Sequence, residues 1–548
     1  MRRRGFLKKL PLAAGSSFML NSLPLSALAQ AAPLHRLAAS SNNDRVLILI
    51  QLHGGNDGLN TVIPIEQYAE YYNLRPNLAI PDKGKRKYID LDSSLSAADQ
   101  AGLHPDLTHM KALYDQGKMN IVQNVAYENV NGSHFRSRDI WFMGGDYNEY
   151  LPSGWMGRYL DHEYPGYPDS YPNDQMPDPL AIEIGNGVSL AFHRNNGIPT
   201  AISIQNPEQF YDLVSSVGGL PPESIANTHY GEELRWIMDI EEKSNQFAGR
   251  LKEVYEKGSN SQDVEYPDLY PFNAPPGRIK NRLAPQLKMI ARLLSGGVKT
   301  KIFLARLGGF DTHAEQVESY DATMGTHAAL LYHISSAMKA FQDDLKGLGL
   351  EDRVMSMTFS EFGRRAFSNG SYGSDHGTAA PMFVFGKMVQ PGVTGTNPDL
   401  NNLNRGNLIH QFDYRQVFTS AVVDWLQADA EAVEATLLSD WVDSRLPIVG
   451  NGITGTNEGF FAQRNFLDDC YPNPVADKTV FAFRMNTDGK VKIELLDVQG
   501  RSVATVLDEF RKAGLHHITY NLQHLKSGTY LYRLENGALT QSKKLVKL

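Results

Sequence analysis

Largely apolar runs recur along the chain: 46–52 (VLILIQL), 119–125 (MNIVQNV), 180–184 (LAIEI), 301–307 (KIFLARL), 354–359 (VMSMTF) and 381–385 (PMFVF). Runs this short, with little polar alternation, read as strands buried on both faces. Amphipathic helical stretches lie between some of them, such as HAALLYHISSAMKAFQDDLKGL from His327 and DYRQVFTSAVVDWLQ from Asp413. Strand and helix in alternation predict an α/β fold, a mostly parallel sheet with helices on both faces.

Polar clusters flank these runs. His53-Gly54-Gly55-Asn56-Asp57-Gly58 follows the first, and Asn131-Gly132-Ser133-His134-Phe135-Arg136 follows the second. Gly308-Gly309-Phe310-Asp311-Thr312-His313 follows KIFLARL, Ser360-Glu361-Phe362-Gly363-Arg364-Arg365 follows VMSMTF, and Asp375-His376-Gly377-Thr378 precedes PMFVF. Open α/β sheets bind ligands outside the carboxyl ends of their strands, so several such clusters at one edge predict a site. Each cluster also has a plainer reading. Asp57 suits a helix N-cap after a tight Gly-Gly turn, Asp311 another cap, and Glu361 with Arg364 an ion pair. His327 and His333 lie on a helical stretch and read as structural.

Asp, Glu and His without cysteine are the donor set of Zn, Mn or Mg. Carboxylates gathered at one edge repel unless a cation or a proton neutralises them. The expected metal ligands are Asp57, Asp311, His313, Glu361 and His376. Ser133, with His134 beside it, is the expected catalytic pair, a hydroxyl activated by the metal or by the imidazole.

The ends speak of export. The N-terminus MRRRGFLKKLPLAAGSSFMLNSLPLSALAQ has paired arginines, a short apolar stretch broken by Pro11, Gly15 and Pro24, and Ala27-Leu28-Ala29 before Gln30. That is a secretory signal over 1–29 of the twin-arginine type, and it implies the twin-arginine translocase as a partner. No later segment has the unbroken apolar length of a spanning helix, so no transmembrane segment is expected in the mature chain. The single cysteine, Cys470, excludes an internal disulfide. A net charge of −8, with no long basic run, argues against a nucleic-acid partner.

From Asn451 the sequence is rich in turn formers. Short strands then alternate with Asp488-Gly489, Gln499-Gly500, Ser527-Gly528 and Asn536-Gly537. The pattern predicts a small antiparallel β-sandwich. The division is 30–460 for the α/β domain, 461–470 for a linker and 471–548 for the tail. Tyr471-Pro472-Asn473-Pro474, Asp497-Val498-Gln499-Gly500-Arg501, Ser527-Gly528-Thr529-Tyr530 and Lys543-Lys544-Leu545 resemble the C-terminal sorting domain of type IX secretion cargo. The resemblance implies the outer-membrane type IX machinery as a partner, and delivery to the cell surface or medium by way of the periplasm.

LHGGNDGLNTVIP, YYNLRPNLAI, NGSHFRSRDIW, GFDTH, SEFGRR, SDHGTAAPMFVFG and DYRQVF resemble the secreted bacterial family called domain of unknown function 1501. The resemblance implies an alkaline phosphatase-like fold and a metal-dependent hydrolase of phosphate or sulfate esters. Carried over to this sequence, it makes Asp57 the first-strand metal aspartate, Ser133 the nucleophile, Asp311 and His313 the mid-chain ligands, and His376 the late ligand. Asp311 and His313 are closer together than the usual pattern, and Ser360-Glu361-Phe362 stands where Asp-His is usual, leaving only Glu361 to ligate. That departure keeps open a non-catalytic surface binding or scaffold protein on the same fold. A sugar-processing enzyme would need two carboxyls flanking a groove.

Overall fold

The computed structural model describes residues 44–167, 170–195, 197–205 and 247–450. It also describes 466–548, apart from 468–469, 471–472, 476, 486–487, 513 and 537–538, together with 19–20 and 23–24. Nearly all of the expected signal over 1–29, and most of the expected linker, lie outside the described residues. The chain divides into two compact units, Met1–Ile453 and Thr454–Leu548.

The six apolar runs become strands of one nine-stranded sheet, and three short strands complete it. In chain order they are β1 (Val46–His53), β2 (Met119–Ala126), β3 (Ala181–Ile184), β4 (Ala201–Ile204), β5 (Ile302–Gly308), β6 (Val354–Phe359), β7 (Ala380–Phe385), β8 (Gly392–Thr394) and β9 (Phe412–Asp413). The spatial order is β8-β2-β7-β6-β1-β5-β3-β4, with β9 also against β2. Every neighbouring pair is parallel except the two that involve β7. The sheet is therefore mostly parallel, as expected, and one reversed strand makes it mixed.

Both faces are covered. Ile48, Ile50 and Leu52 of β1 turn to one side. There they share a core with Met110 and Leu113 of α2 (Thr108–Asp115), Leu287, Ile290 and Leu294 of α5 (Ala284–Ser295), and Ile334, Met338, Phe341 and Leu345 of α6 (Thr326–Gly347). The α5 residues Leu287, Ile290, Ala291 and Leu294 follow the i, i+3, i+4, i+7 spacing of a single apolar stripe, and Pro285 stands in its first turn. On the other side Phe359 of β6 packs on Trp141 of α3 (His134–Met143) and on Phe418 of α7 (Tyr414–Ser420), and Phe418 meets Trp155 of α4 (Trp155–Glu163). Truncating such a buried side chain to alanine costs about 2–5 kcal/mol. Among the described residues no helix is long and apolar enough to cross a membrane.

Two antiparallel sheets form the second unit. One joins β10 (Phe466–Leu467), β11 (Lys478–Met485) and β14 (Gly514–Asn521). The other joins β12 (Gly489–Leu496), β13 (Ser502–Arg511), β15 (Gly528–Asn536) and β16 (Leu539–Lys547). Phe481, Phe483 and Met485 of one sheet share a core with Val491, Ile493 and Leu495 of the other, the period-2 alternation of a sandwich. Cys470 is buried in that core, and its backbone N–H donates to the Tyr532 hydroxyl at 2.9 Å.

Candidate metal centre

The carboxyl ends of the parallel strands deliver residues to one edge. His53 ends β1, Asp311 and His313 follow β5, and Glu361 follows β6. His134 opens α3, in the connection after β2. His376 precedes β7, and because β7 runs opposite to its neighbours its start lies at the edge where theirs end.

One glycine lets β1 and the segment after β5 approach. Gly54 has φ +125°, and a Cβ there would stand 2.2 Å from the Asp311 backbone nitrogen. A side chain would therefore force the strand ends apart. The Gly54 N–H instead donates to Glu361 Oε1 at 2.8 Å, inside a carboxylate that is wholly buried.

The imidazoles and carboxylates then interlock. His134 Nδ1 lies 2.9 Å from Glu361 Oε1, and its Nε2 lies 3.3 Å from Asp311 Oδ2. His376 Nδ1 donates to the Gly132 carbonyl at 2.8 Å, and its Nε2 lies 3.2 Å from Asp311 Oδ1. His313 Nδ1 is 2.8 Å from Asp311 Oδ1, and its ring meets the His376 ring at 4.4 Å. His53 Nε2 stands 4.0 Å from Glu361 Oε1 and stacks beside His134. The buried Arg364 clamps the group: Nε donates to the Gly55 carbonyl at 2.9 Å, Nη1 to Ser374 at 2.8 Å, and Nη2 to Gly54, to Phe310 at 2.9 Å and to Asp311 Oδ1 at 2.7 Å.

These contacts set the charges. Partial burial pushes the Asp311 carboxyl up, but hydrogen bonds from Arg364 and His376 outweigh it and hold the group below the usual carboxylate range. The hydrogen bond to Glu361 raises His134, while burial lowers His376 and His53.

The donors fit a cation. His134, Asp311 and His376 each offer one atom, all within 4.8 Å of one another. Ligand atoms of a tetrahedral zinc stand about 3.3 Å apart, the spacing that follows from bonds near 2.0 Å. At this group the buried His134 Nε2 has no hydrogen-bond partner among the described residues, and neither has the buried Oε2 of Glu361, whose Oε1 holds His134. The Nδ1 contacts to Glu361 and Gly132 turn the two Nε2 atoms toward Asp311, as outer contacts orient metal-bound histidine.

Of the expected ligands the structure brings together Asp311, His313, Glu361 and His376, and adds His134. Asp57 is placed apart. It is the N-cap of α1 (Gly58–Thr61), and its oxygens take the buried Arg75 at 2.7 and 2.8 Å and Gln316 at 2.6 Å. Ser133 is exposed at the N-cap of α3, between Gly132, whose carbonyl holds His376, and His134. The expected Glu361–Arg364 pair is corrected: Arg364 turns to Asp311, and Glu361 to His134. Sequence reasoning passed over His53, although a histidine closing an apolar strand before Gly-Gly was visible. It also passed over Arg364 as part of the centre, and no local signal announced that partner.

Residues 266–413 match the family described as protein of unknown function, DUF1501, and residues 469–548 match the secretion system C-terminal sorting domain. No curated protein matches the chain. Among solved structures, dimeric latent PorU from Porphyromonas gingivalis is similar over 16% of this chain and only 9% of its own, at 23% identity and a TM-score of 0.14. A protein in the alkaline phosphatase superfamily from Vibrio parahaemolyticus is 10% identical over 82% of this chain and 77% of its own, with a TM-score of 0.30. The PsFucS1 sulfatase from Pseudoalteromonas sp. is 10% identical over 91% of this chain and 88% of its own, with a TM-score of 0.32. Likenesses this slight carry no weight for activity. The chain carries a DUF1501 domain followed by a secretion system C-terminal sorting domain, which marks it for the type IX machinery and for secretion to the cell surface or medium.

Proposed function

We propose that the chain is a metal-dependent hydrolase of phosphate or sulfate esters working outside the cell, with His134, Asp311 and His376 as the cation ligands. The observation that carries this reading is the group His134, Asp311 and His376, whose ligand atoms lie within 4.8 Å of one another, with the buried His134 Nε2 lacking a hydrogen-bond partner among the described residues and Asp311 shared by three imidazoles and a guanidinium. An unpaired buried polar atom costs about 1–3 kcal/mol, so leaving His134 Nε2 unpaired at this point needs a compensating partner. Zinc or manganese suits the nitrogen-rich donors, and magnesium suits them less well.

When bound, the cation supplies Lewis acidity to the ester oxygen. The chain's own groups do the rest. Glu361 fixes the His134 tautomer, the Gly132 carbonyl fixes that of His376, and Arg364 holds Asp311 in place. His134 acts here as a ligand, because its Nδ1 is occupied by Glu361. Ser133 is the candidate nucleophile, on the ground that both of its neighbours in sequence touch the centre. His313 and His53, at the margin, are the candidates to protonate the leaving oxygen. Export by a twin-arginine signal over 1–29 belongs to the same reading, with 30–460 as the working domain and 471–548 as a delivery device.

One observation favours the scaffold reading instead. Asp57 is taken by Arg75, and among the described residues the centre gathers one cation's group of ligands. Protein purified without chelators and analysed for bound metals decides first, and assay on aryl phosphate and aryl sulfate decides second. A stoichiometric transition metal with turnover supports the hydrolase. Bound metal without turnover of either ester moves the scaffold reading ahead.

A further inference from the structure

A cleft of about 360 Å³ opens on the Asp311 side of the centre, lined among others by Arg278, Arg282, Gly309, Asp311, Glu315 and Thr326. We propose that Arg278 and Arg282 form an anion subsite there, and that the substrate carries a second phosphate or sulfate group besides the ester cleaved at the centre. The proposal rests on the hydrolase reading for the first of these groups and on the cleft for the second.

Several arginines elsewhere in this unit are engaged. Arg75 binds Asp57, Arg86 binds Asp106, Arg364 binds Asp311 and Arg415 binds Asp413. Arg278 and Arg282 differ: neither guanidinium has a hydrogen bond or ion pair among the described residues. Their backbones are nonetheless fixed. The Arg278 carbonyl accepts from His333 Nε2 at 2.7 Å, and the Arg282 carbonyl accepts from Gln286 at 2.7 Å. Gly309, at φ +116°, makes room for the Arg278 head, since a Cβ there would meet Nη1 at 2.4 Å.

The charges at the cleft favour an anion. Of its two carboxylates, Asp311 is already shared by Arg364 and three histidines, which leaves Glu315 alone against two arginines. This arises in a chain of net charge −8, so general basicity is not its source. A planar guanidinium matches tetrahedral oxyanions with two parallel hydrogen bonds. The lining of the cleft includes neither His134 nor His376, so a group bound there is beside the scissile ester and not in its place.

The test is calorimetric binding to the metal-loaded full chain and to its Arg278→Gln and Arg282→Gln variants. The probes are ethyl phosphate, ethylene glycol bisphosphate and ethylene glycol bis-sulfate. Each variant should bind one or both double anions about 10-fold or more weakly, the value of a charge-assisted hydrogen bond, while metal content and ethyl phosphate binding stay as in the wild type. The bisphosphate and bis-sulfate arms distinguish the two substrate classes. Unchanged double-anion binding in both variants overturns the proposal, and so does an equal loss for ethyl phosphate, which would put the arginines on the scissile group. Arg282 is exposed, so its variant keeps the test open if Arg278→Gln disturbs folding. If the arginines hold the double anion and no ester is cleaved, the subsite stands and the hydrolase reading falls.

Discussion

Replacing Arg75 by methionine tests what Asp57 is for. Arg75 is wholly buried and donates to Ala366 at 2.9 Å, to Asp57 at 2.7 and 2.8 Å, to Asn60 at 3.1 Å and to Arg365 at 2.6 Å. The substitution leaves the buried Asp57 carboxylate with Gln316 and its own helix cap. Removing one partner of a buried ion pair costs about 3–5 kcal/mol. With unfolding entropy of about 2.1 cal/mol/K per residue, that is roughly 3–5 °C for a unit of this size. Burial alone would push the Asp57 carboxyl up, but the Arg75 charge and hydrogen bond, helped by His327 and Gln316, hold it low. A depressed carboxyl stabilises above its unfolded value of about 3.9, and that stability is lost as pH falls through the folded value. In Arg75→Met the burial effect prevails, the carboxyl rises, and acid relieves the unpaired charge. The deficit measured by calorimetry at pH near 7.5 should therefore shrink toward pH 5. Adding Asp57→Asn should recover part of it, because no charge is left unpaired. A deficit under about 1 kcal/mol that ignores pH would refute the structural role and return Asp57 to the ligands.

His376→Ala and His134→Ala should each release the metal, read by elemental analysis. Each should also lose the stabilisation that binding supplies, about 2.7 kcal/mol at a hundredfold excess of cation over Kd, while the wild type plus chelator shows the same loss. Ser133→Ala should keep the metal and abolish turnover, and retained hydrolysis would point to a water nucleophile instead. Arg3→Lys with Arg4→Lys should leave precursor in the cytoplasm on fractionation, and normal export would remove the twin-arginine assignment. A chain ending at Asp469 should fold and bind metal yet stop in the periplasm, and its surface delivery would contradict the sorting role of the tail.

Largely apolar runs such as VLILIQL are stable only with both faces covered, which is why the sheet and its flanking helices were legible in the sequence. The clustering of Asp311 and Glu361 at one edge followed for the same reason, since connections after parallel strands emerge on one side. The direction of β7 was not legible. A strand carries no mark of its sense, which is set by the path that the 360–379 connection takes, and only that reversal puts His376 beside Asp311. Partner choice was equally hidden. Asp57 goes to Arg75, Arg364 to Asp311 and Glu361 to His134 through contacts made across space. Adjacency in the chain suggested a different pairing for Arg364. The kinds of group available for chemistry are written in the sequence, whereas their assignment to structure or to site is made by packing, because burial forces each charge to take the nearest partner that tertiary contacts supply.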